Sequence, residues 1–199
     1  MKPVEITRKT KETDIQLTLS AGTRKEDGVQ PTIQLNTSLP FIDHMLHAFA
    51  FHGDWNLDIS ATGDIDVDPH HLIEDLGIVL GQALVQLQEQ SGSITRYGSA
   101  IIPMDDALCE VVIDLCNRPY LVYKTHWPQP YIGSLDTALF REFFYAFAAN
   151  ARCNLHLHCR WGENSHHIIE ALFKACGIAA RTAAQPIAGN TPLSTKGSL

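Results

Sequence analysis

Apolar residues alternate along 4–20, with Val4, Ile6, Ile15, Leu17 and Leu19 facing one way, a period of two that predicts one or two strands. A polar stretch punctuated by Gly22, Gly28 and Pro31 leads to the short apolar run 33–35, which reads as the return arm of a hairpin. Over 41–51 the period lengthens to that of a helix, entered through Pro40 and closed by Gly53. Leu57 and Ile59, then Ile65 and Val67, read as short strands. Asp68-Pro69 opens a second helix over 70–90, with Asp68 placed to cap it and Pro69 at its first position. Residues 101–115 and 120–123 read as strands, 135–151 as a helix, 154–160 as a strand and 166–182 as a last helix. The tail from Pro186 is rich in Gly, Pro, Ser and Thr, the composition of a loop or mobile arm.

This order of elements repeats, and the sequence repeats with it. His70-His71-Leu72-Ile73-Glu74 recurs as His166-His167-Ile168-Ile169-Glu170, and both runs continue through Leu76 or Leu172 to Gly81 or Gly177, always at an offset of 96 residues. An aromatic-rich helix and a short apolar strand precede each copy. The economical reading is an α/β (α+β) chain built by tandem duplication of a strand–helix–strand–helix unit. Its predicted parts are a first half-repeat over 1–92, a second over 93–185 and a C-terminal lid or tail over 186–199.

Composition narrows the function. The 199 residues carry 15 Lys+Arg against 22 Asp+Glu, a formal charge of −7, with 45% hydrophobic and 19% charged residues. The length suits one domain or two small ones with a real core. An acidic balance argues against nucleic acid and against an anionic membrane surface as partners. No apolar run approaches the ~20 residues of a membrane span, and the N-terminus has no signal-peptide pattern, so a cytoplasmic location is expected. Five cysteines without a C-x-x-C pair fit neither a disulfide framework nor a zinc knuckle. The unusual count is histidine, at ten.

Histidine is the commonest metal ligand, and these ten are clustered. In H-H-x-x-E on a helix, the first His and the Glu stand one above the other and can share a metal ion. The second His is turned by about 100° and reaches elsewhere. Two such helices could exchange ligands crosswise: His70 and Glu74 with His167, and His166 and Glu170 with His71. His44 and His156 are candidates to complete the two shells. Imidazole and carboxylate together suit a first-row ion such as Mn²⁺ or Fe²⁺. His126 and His158 lack such partners, and His47 is either packed or supporting.

Phe41-Ile42-Asp43-His44-Met45-Leu46, Phe51-His52-Gly53, the two His-His motifs and Gly162-Glu163-Asn164-Ser165 together resemble the imidazoleglycerol-phosphate dehydratase family. Thr10-Lys11-Glu12-Thr13, Arg96-Tyr97-Gly98, Pro103-Met104-Asp105, Arg118-Pro119-Tyr120 and Ser194-Thr195-Lys196-Gly197 extend the likeness from residue 10 to the C-terminus. Departures are Ser38 where the family has Gly, Asp106 where it has Glu, Pro192-Leu193 in inverted order, and extra residues between Gly22 and Pro40.

The resemblance implies helices packed between two mixed sheets, as in the ribosomal protein S5 domain 2-like fold. It implies dehydration of imidazole-glycerol phosphate to imidazole-acetol phosphate in histidine biosynthesis, in a homo-oligomer of 24 subunits with active sites at interfaces. Two Mn²⁺ per active site would bind the ring as an imidazolate. The implied metal ligands are His44, His70, His71, Glu74, His156, His166, His167 and Glu170. The implied catalytic groups are Glu12, as carboxylate base, with His44, His71 and Glu170. Substrate contacts are expected from Glu12, His44, His52, His70, His71, Glu74, Arg96, Arg118, His166, Lys174, Ser194, Thr195 and Lys196, with the tail closing over the phosphate. A dinuclear metallohydrolase and a non-catalytic metal-binding shell protein are the competing classes; neither needs Arg96, Arg118 and Lys196 beside an imidazole-matched pocket.

Overall fold

The structure, a computed structural model, describes residues 2–24 and 28–187. In its first half, strands β1 (Val4–Lys9), β2 (Thr13–Ala21) and β3 (Ile33–Asn36) precede helix α1 (Pro40–Gly53), strand β4 (Trp55–Gly63) and helix α2 (His70–Glu89). In the second, β5 (Tyr97–Met104), β6 (Ala107–Asp114) and β7 (Tyr120–Lys124) lead through the two-residue strands β8 (Tyr131–Ile132) and β9 (Leu135–Asp136). Helix α3 (Ala138–Asn150), strand β10 (Asn154–Trp161) and helix α4 (Ser165–Ala183) follow.

The two large sheets have one topology. Their orders are β1-β2-β4-β3 and β5-β6-β10-β7. In each, a hairpin is followed by an antiparallel neighbour that in turn pairs parallel with the remaining strand. The expected hairpin between β2 and β3 is therefore corrected. Ile33 pairs parallel with Leu57 on β4 instead, across a connection that contains all of α1. Ile65 and Val67 form no strand either. They lie in a turn in which the Val67 N–H donates to the Asp64 carbonyl at 2.8 Å, and Val67 is exposed. The single strand expected over 101–115 is a hairpin, because Asp105 takes a left-handed φ of 45° and reverses the chain. Helix α3 starts three residues later than expected. The Asp136 carboxylate accepts from the Ala138 N–H at 2.8 Å and sets that start, while Leu135 is used in β9.

The four helices form a layer between the sheets, paired across the halves: α1 with α4, and α2 with α3. Strand alternation turns Ile15, Leu17, Leu19, Leu57 and Ile59 inward from the first sheet, and Val111, Ile113, Leu155 and Leu157 from the second. Phe143, Phe144 and Phe173 fill the middle with ring centroids 5.0–5.3 Å apart. Four of the five cysteines are buried and all five are free thiols.

Glycine sets how closely the helices approach. A Cβ on Gly177 of α4 would collide with the Phe49 carbonyl of α1, and one on Gly81 of α2 with the Phe147 carbonyl of α3. Gly177→Ala is expected to destabilise the chain by about 1–3 kcal/mol through overpacking, despite alanine's better helix propensity. A lowered urea midpoint checks this, and an unchanged midpoint contradicts it.

Candidate metal centre

Both His-His motifs open a helix, and both are capped alike. The Asp68 carboxylate accepts from the His70 N–H at 2.8 Å, and the Asn164 side-chain oxygen accepts from the His166 N–H at 2.9 Å. Each motif therefore begins in a first turn, where the rings project past the helix end and are half-buried.

On α4, His166 and Glu170 meet His44 of α1. The Glu170 Oε2 atom lies 3.3 Å from His44 Nε2 and 3.2 Å from His166 Nε2. One ligand atom from each of the three residues lies within 4.8 Å of the others, the one such group among the described residues. Phe41 presents its ring edgewise to both imidazoles, with centroids 6.3 and 5.2 Å away. The other Glu170 oxygen takes Lys174 Nζ at 2.8 Å. Burial alone would raise the Glu170 carboxyl, but the hydrogen bond and charge of Lys174, with the charge of His44, hold it below the usual carboxylate range. The result is a buried, ionised carboxylate with two ring nitrogens turned toward it. That is a donor set for a divalent cation.

On α2, His70 Nε2 lies 3.4 Å from Glu74 Oε2. His71 donates from Nδ1 to both oxygens of Asp64, at 3.1 and 3.2 Å, since a carboxylate only accepts. Asp64 raises the His71 pKa above the usual histidine value, mainly through that hydrogen bond. His167 of α4 donates from Nδ1 to Asp106 in the same way. That bond and the N–H groups of Glu163 and Asn164 hold the Asp106 carboxyl down at about 2. In each ring the Nδ1 bond leaves Nε2 as the atom that could ligate, the usual device by which a carboxylate orients a ligating histidine; in His167 that Nε2 lies 3.5 Å from Asp105 Oδ2. Asp64 and Asp106 were not legible as site residues. Their signal was present only as an acidic residue in the loop before each motif or in a distant hairpin turn.

The turn between β1 and β2 delivers Glu12 to this place. Its N–H donates to Thr10 Oγ1 at 3.0 Å and its carbonyl accepts from the Asp64 N–H at 3.1 Å. The carboxylate Oε2 reaches 4.0 Å from His71 Nδ1. Buried Asp75 fastens the hairpin to α2, accepting from Thr13 Oγ1 at 2.5 Å and pairing with Arg8 Nε at 2.9 Å. The turn between β5 and β6, which carries Asp106, is its counterpart in the second half.

Other expected site residues lie apart. His156 sits between buried Leu155 and Leu157 on β10, so strand alternation turns it out to the solvent face, away from the helix layer. Within one chain His156 therefore stays apart from both motifs. Nor does one chain form the crosswise sets: His70, His71 and Glu74 stay outside the group around Glu170. Arg96 and Arg118 lie at the end of the second sheet opposite the Asp106 turn, with the eight residues of β5 between, or roughly 26 Å at 3.3 Å per residue. Arg96 is buried and binds Asp114 through Nε at 2.7 Å and Nη2 at 3.1 Å. Lys174 is engaged by Glu170 and lies 3.0 Å from Met104 Sδ. His52, at the end of α1, is held below the usual histidine range by burial and then by the charge of Lys174. Ser194, Thr195 and Lys196 lie outside the described residues.

The sequence pattern of the imidazoleglycerol-phosphate dehydratase family matches residues 37–180. The chain belongs to that family. It is 48% identical to the imidazoleglycerol-phosphate dehydratase of Trichlorobacter lovleyi over 199 residues, covering 100% of this chain and 99% of the relative. It is 49% identical to that of Methanococcoides burtonii, with 100% of both chains covered. The crystal structure of the Pyrococcus furiosus dehydratase superposes with a TM-score of 0.82 at 38% identity, covering 98% of this chain and 100% of that one. Family membership accounts for two mixed sheets enclosing four helices. No helix among the described residues is long and apolar enough to cross a membrane.

Proposed function

We propose that this chain is a hydro-lyase that dehydrates imidazoleglycerol phosphate to imidazole-acetol phosphate in histidine biosynthesis, working in the cytoplasm with two Mn²⁺ ions per active site. The observation that carries the reading is the group His44, His166 and Glu170, preassembled on paired helices in a chain of this family. Those residues would hold one ion, and the α2 motif with oriented His71 and His167 would serve the other. When bound, such ions supply Lewis acidity toward an imidazole ring.

The chain's own groups have separate tasks. Glu12, held at the tip of its hairpin, takes the proton from the hydroxyl-bearing carbon one removed from the ring. The carbon–oxygen bond on the ring-bearing carbon breaks, the hydroxyl leaves as water, and the enol becomes the ketone by moving one proton from oxygen to the ring-bearing carbon. Asp64 and Asp106 keep His71 and His167 in the tautomer that presents Nε2. Arg118 and Arg96 suit a phosphate by charge and planar donor geometry, and Ser194, Thr195 and Lys196 would close over it.

The separation of Arg96 and Arg118 from the Glu170 group along β5 favours an active site completed by neighbouring subunits. This accords with a 24-subunit shell in which ligands divided between His-His motifs meet across interfaces. Two measurements test the proposal. Chelated protein is expected to lose turnover of imidazoleglycerol phosphate and to recover it on adding Mn²⁺. Light scattering is expected to show a 24-chain particle that falls to a smaller species on chelation. Full activity after exhaustive chelation overturns the metal reading, and a monomer that is fully active overturns the shared site.

A further inference from the structure

The turn that carries Glu12 hangs from a chain of hydrogen bonds ending on one buried carboxylate. Thr13 Oγ1 donates to Asp75 Oδ2 at 2.5 Å, and Asp75 Oδ1 pairs with Arg8 Nε at 2.9 Å. A carboxylate only accepts, so the single hydroxyl proton of Thr13 is committed to Asp75. The proton between the two threonine hydroxyls, 3.1 Å apart, is therefore the one from Thr10. Thr10 Oγ1 in turn accepts from the Glu12 N–H at 3.0 Å and from the Thr13 N–H at 2.9 Å. Asp75 thus fixes the direction of every bond up to Glu12. It also lies four residues after His71, one turn on along the same face of α2. The hairpin is fastened to that face at the place that leaves the Glu12 carboxylate 4.0 Å from His71.

The second half makes the same junction without polar groups. The position 96 residues after Asp75 is Ala171, which is buried. The strand that begins at Thr13 in the first half begins at Ala107 in the second, and Ala107 is buried too. Arg8 stands opposite Ile15, two residues after Thr13; Ile102 stands opposite Cys109, two residues after Ala107. Arg8, Thr13 and Asp75 therefore correspond to Ile102, Ala107 and Ala171. The hairpin closes on its helix with either set, and replacing a buried ion pair by apolar residues is often neutral or stabilising. Stability does not call for the polar set, which stands under the hairpin that carries Glu12.

We infer that Asp75 is a positioning residue for the dehydration, acting through Thr13 and Thr10 to hold the turn that presents the Glu12 carboxylate. The inference rests on the reading of Glu12 as the base. Misplacing a reacting group by about 1 Å costs on the order of 10²-fold in rate, so the effect of this chain of bonds falls on kcat.

Steady-state kinetics on the metal-loaded chain test it, with bound metal and the urea midpoint measured on the same preparations. Arg8→Ile, Thr13→Ala and Asp75→Ala together copy the second-half junction into the first. This triple variant is expected to fold, to keep KM and metal content near those of the parent, and to lose about 10²-fold in kcat. Thr13→Val breaks the chain of bonds while keeping the Arg8–Asp75 pair, and should also lower kcat; Thr13→Ser restores the hydroxyl and should recover it. In a Glu12→Gln background the triple substitution should cost almost nothing more, because groups that act through one another are not additive. The same fold-loss with and without Glu12 leaves Asp75 a structural role and overturns the inference, as does ordinary kcat in the triple variant. Loss of metal in that variant assigns Asp75 to the support of His71 and overturns it too. If the triple variant does not fold, Thr13→Val and Thr13→Ser read the same effect, and equal kcat in the two overturns the inference. Ordinary kcat in Glu12→Gln alone removes the base and the inference with it.

Discussion

Glu170→Gln is expected to lower turnover of imidazoleglycerol phosphate on the order of 10³-fold or more and to release metal from the site it serves. The reason is the position of this carboxylate. It is buried, it stands 3.3 and 3.2 Å from two ring nitrogens, and Lys174 at 2.8 Å keeps it ionised. The amide has nearly the same shape but no charge, and its nitrogen offers protons where the histidines need an acceptor or a shared cation. Loss of the several kcal/mol that a correctly held metal supplies corresponds to about three powers of ten in rate. Lys174 would then sit half-buried without its carboxylate, so some loss of stability should accompany the loss of metal. Metal analysis and steady-state kinetics on the same preparation check the prediction. Full metal content with ordinary turnover would remove Glu170 from the centre.

The second large effect belongs to Glu12. Glu12→Gln should reduce kcat by about 10²–10⁴-fold, the range for losing a positioned general base, while KM and metal content stay near those of the parent chain. Three features make this separation clean. The side chain is 54% exposed, so the substitution opens no cavity. The turn is held by backbone bonds to Thr10 and Asp64 and by the Arg8–Asp75 and Thr13–Asp75 contacts, none of which uses the Glu12 carboxylate. The 4.0 Å to His71 is too long for a hydrogen bond, so the amide leaves the orientation of that ring to Asp64. A variant that keeps kcat and instead raises KM would assign Glu12 to binding alone.

Much of this was readable along the chain. The paired His-His-x-x-Glu runs, their caps at Asp68 and Asn164, and Gly81 and Gly177 keep one offset, because a duplicated helix must repeat its face, its cap and its contact point together. The strands of both cores follow the period of two, and the helices follow their apolar faces. Each of these is a local property in which residues a few positions apart decide the outcome.

What was not legible shares a cause. The apolar run at Ile33 specifies a strand but not a partner, and only the folded sheet pairs it with Leu57 rather than with β2. His156 and His44 look equivalent as spare histidines. The sheet alternation sends the first to solvent, while the helix pair sends the second to Glu170. Arg96 and Arg118 look like two cations near a site, yet β5 carries them to the far end of the sheet, a separation set by strand length.

The sequence by itself determined the family, the duplicated framework and the chemical types at the candidate centre, since these depend on residue identity and spacing along one helix or strand. Which residues meet was decided by tertiary structure. Glycine contacts set the register of α1 on α4 and of α2 on α3, and the first of these places His44 on Glu170. Register between helices far apart in the chain depends on how two surfaces close over one another, and no local period encodes it.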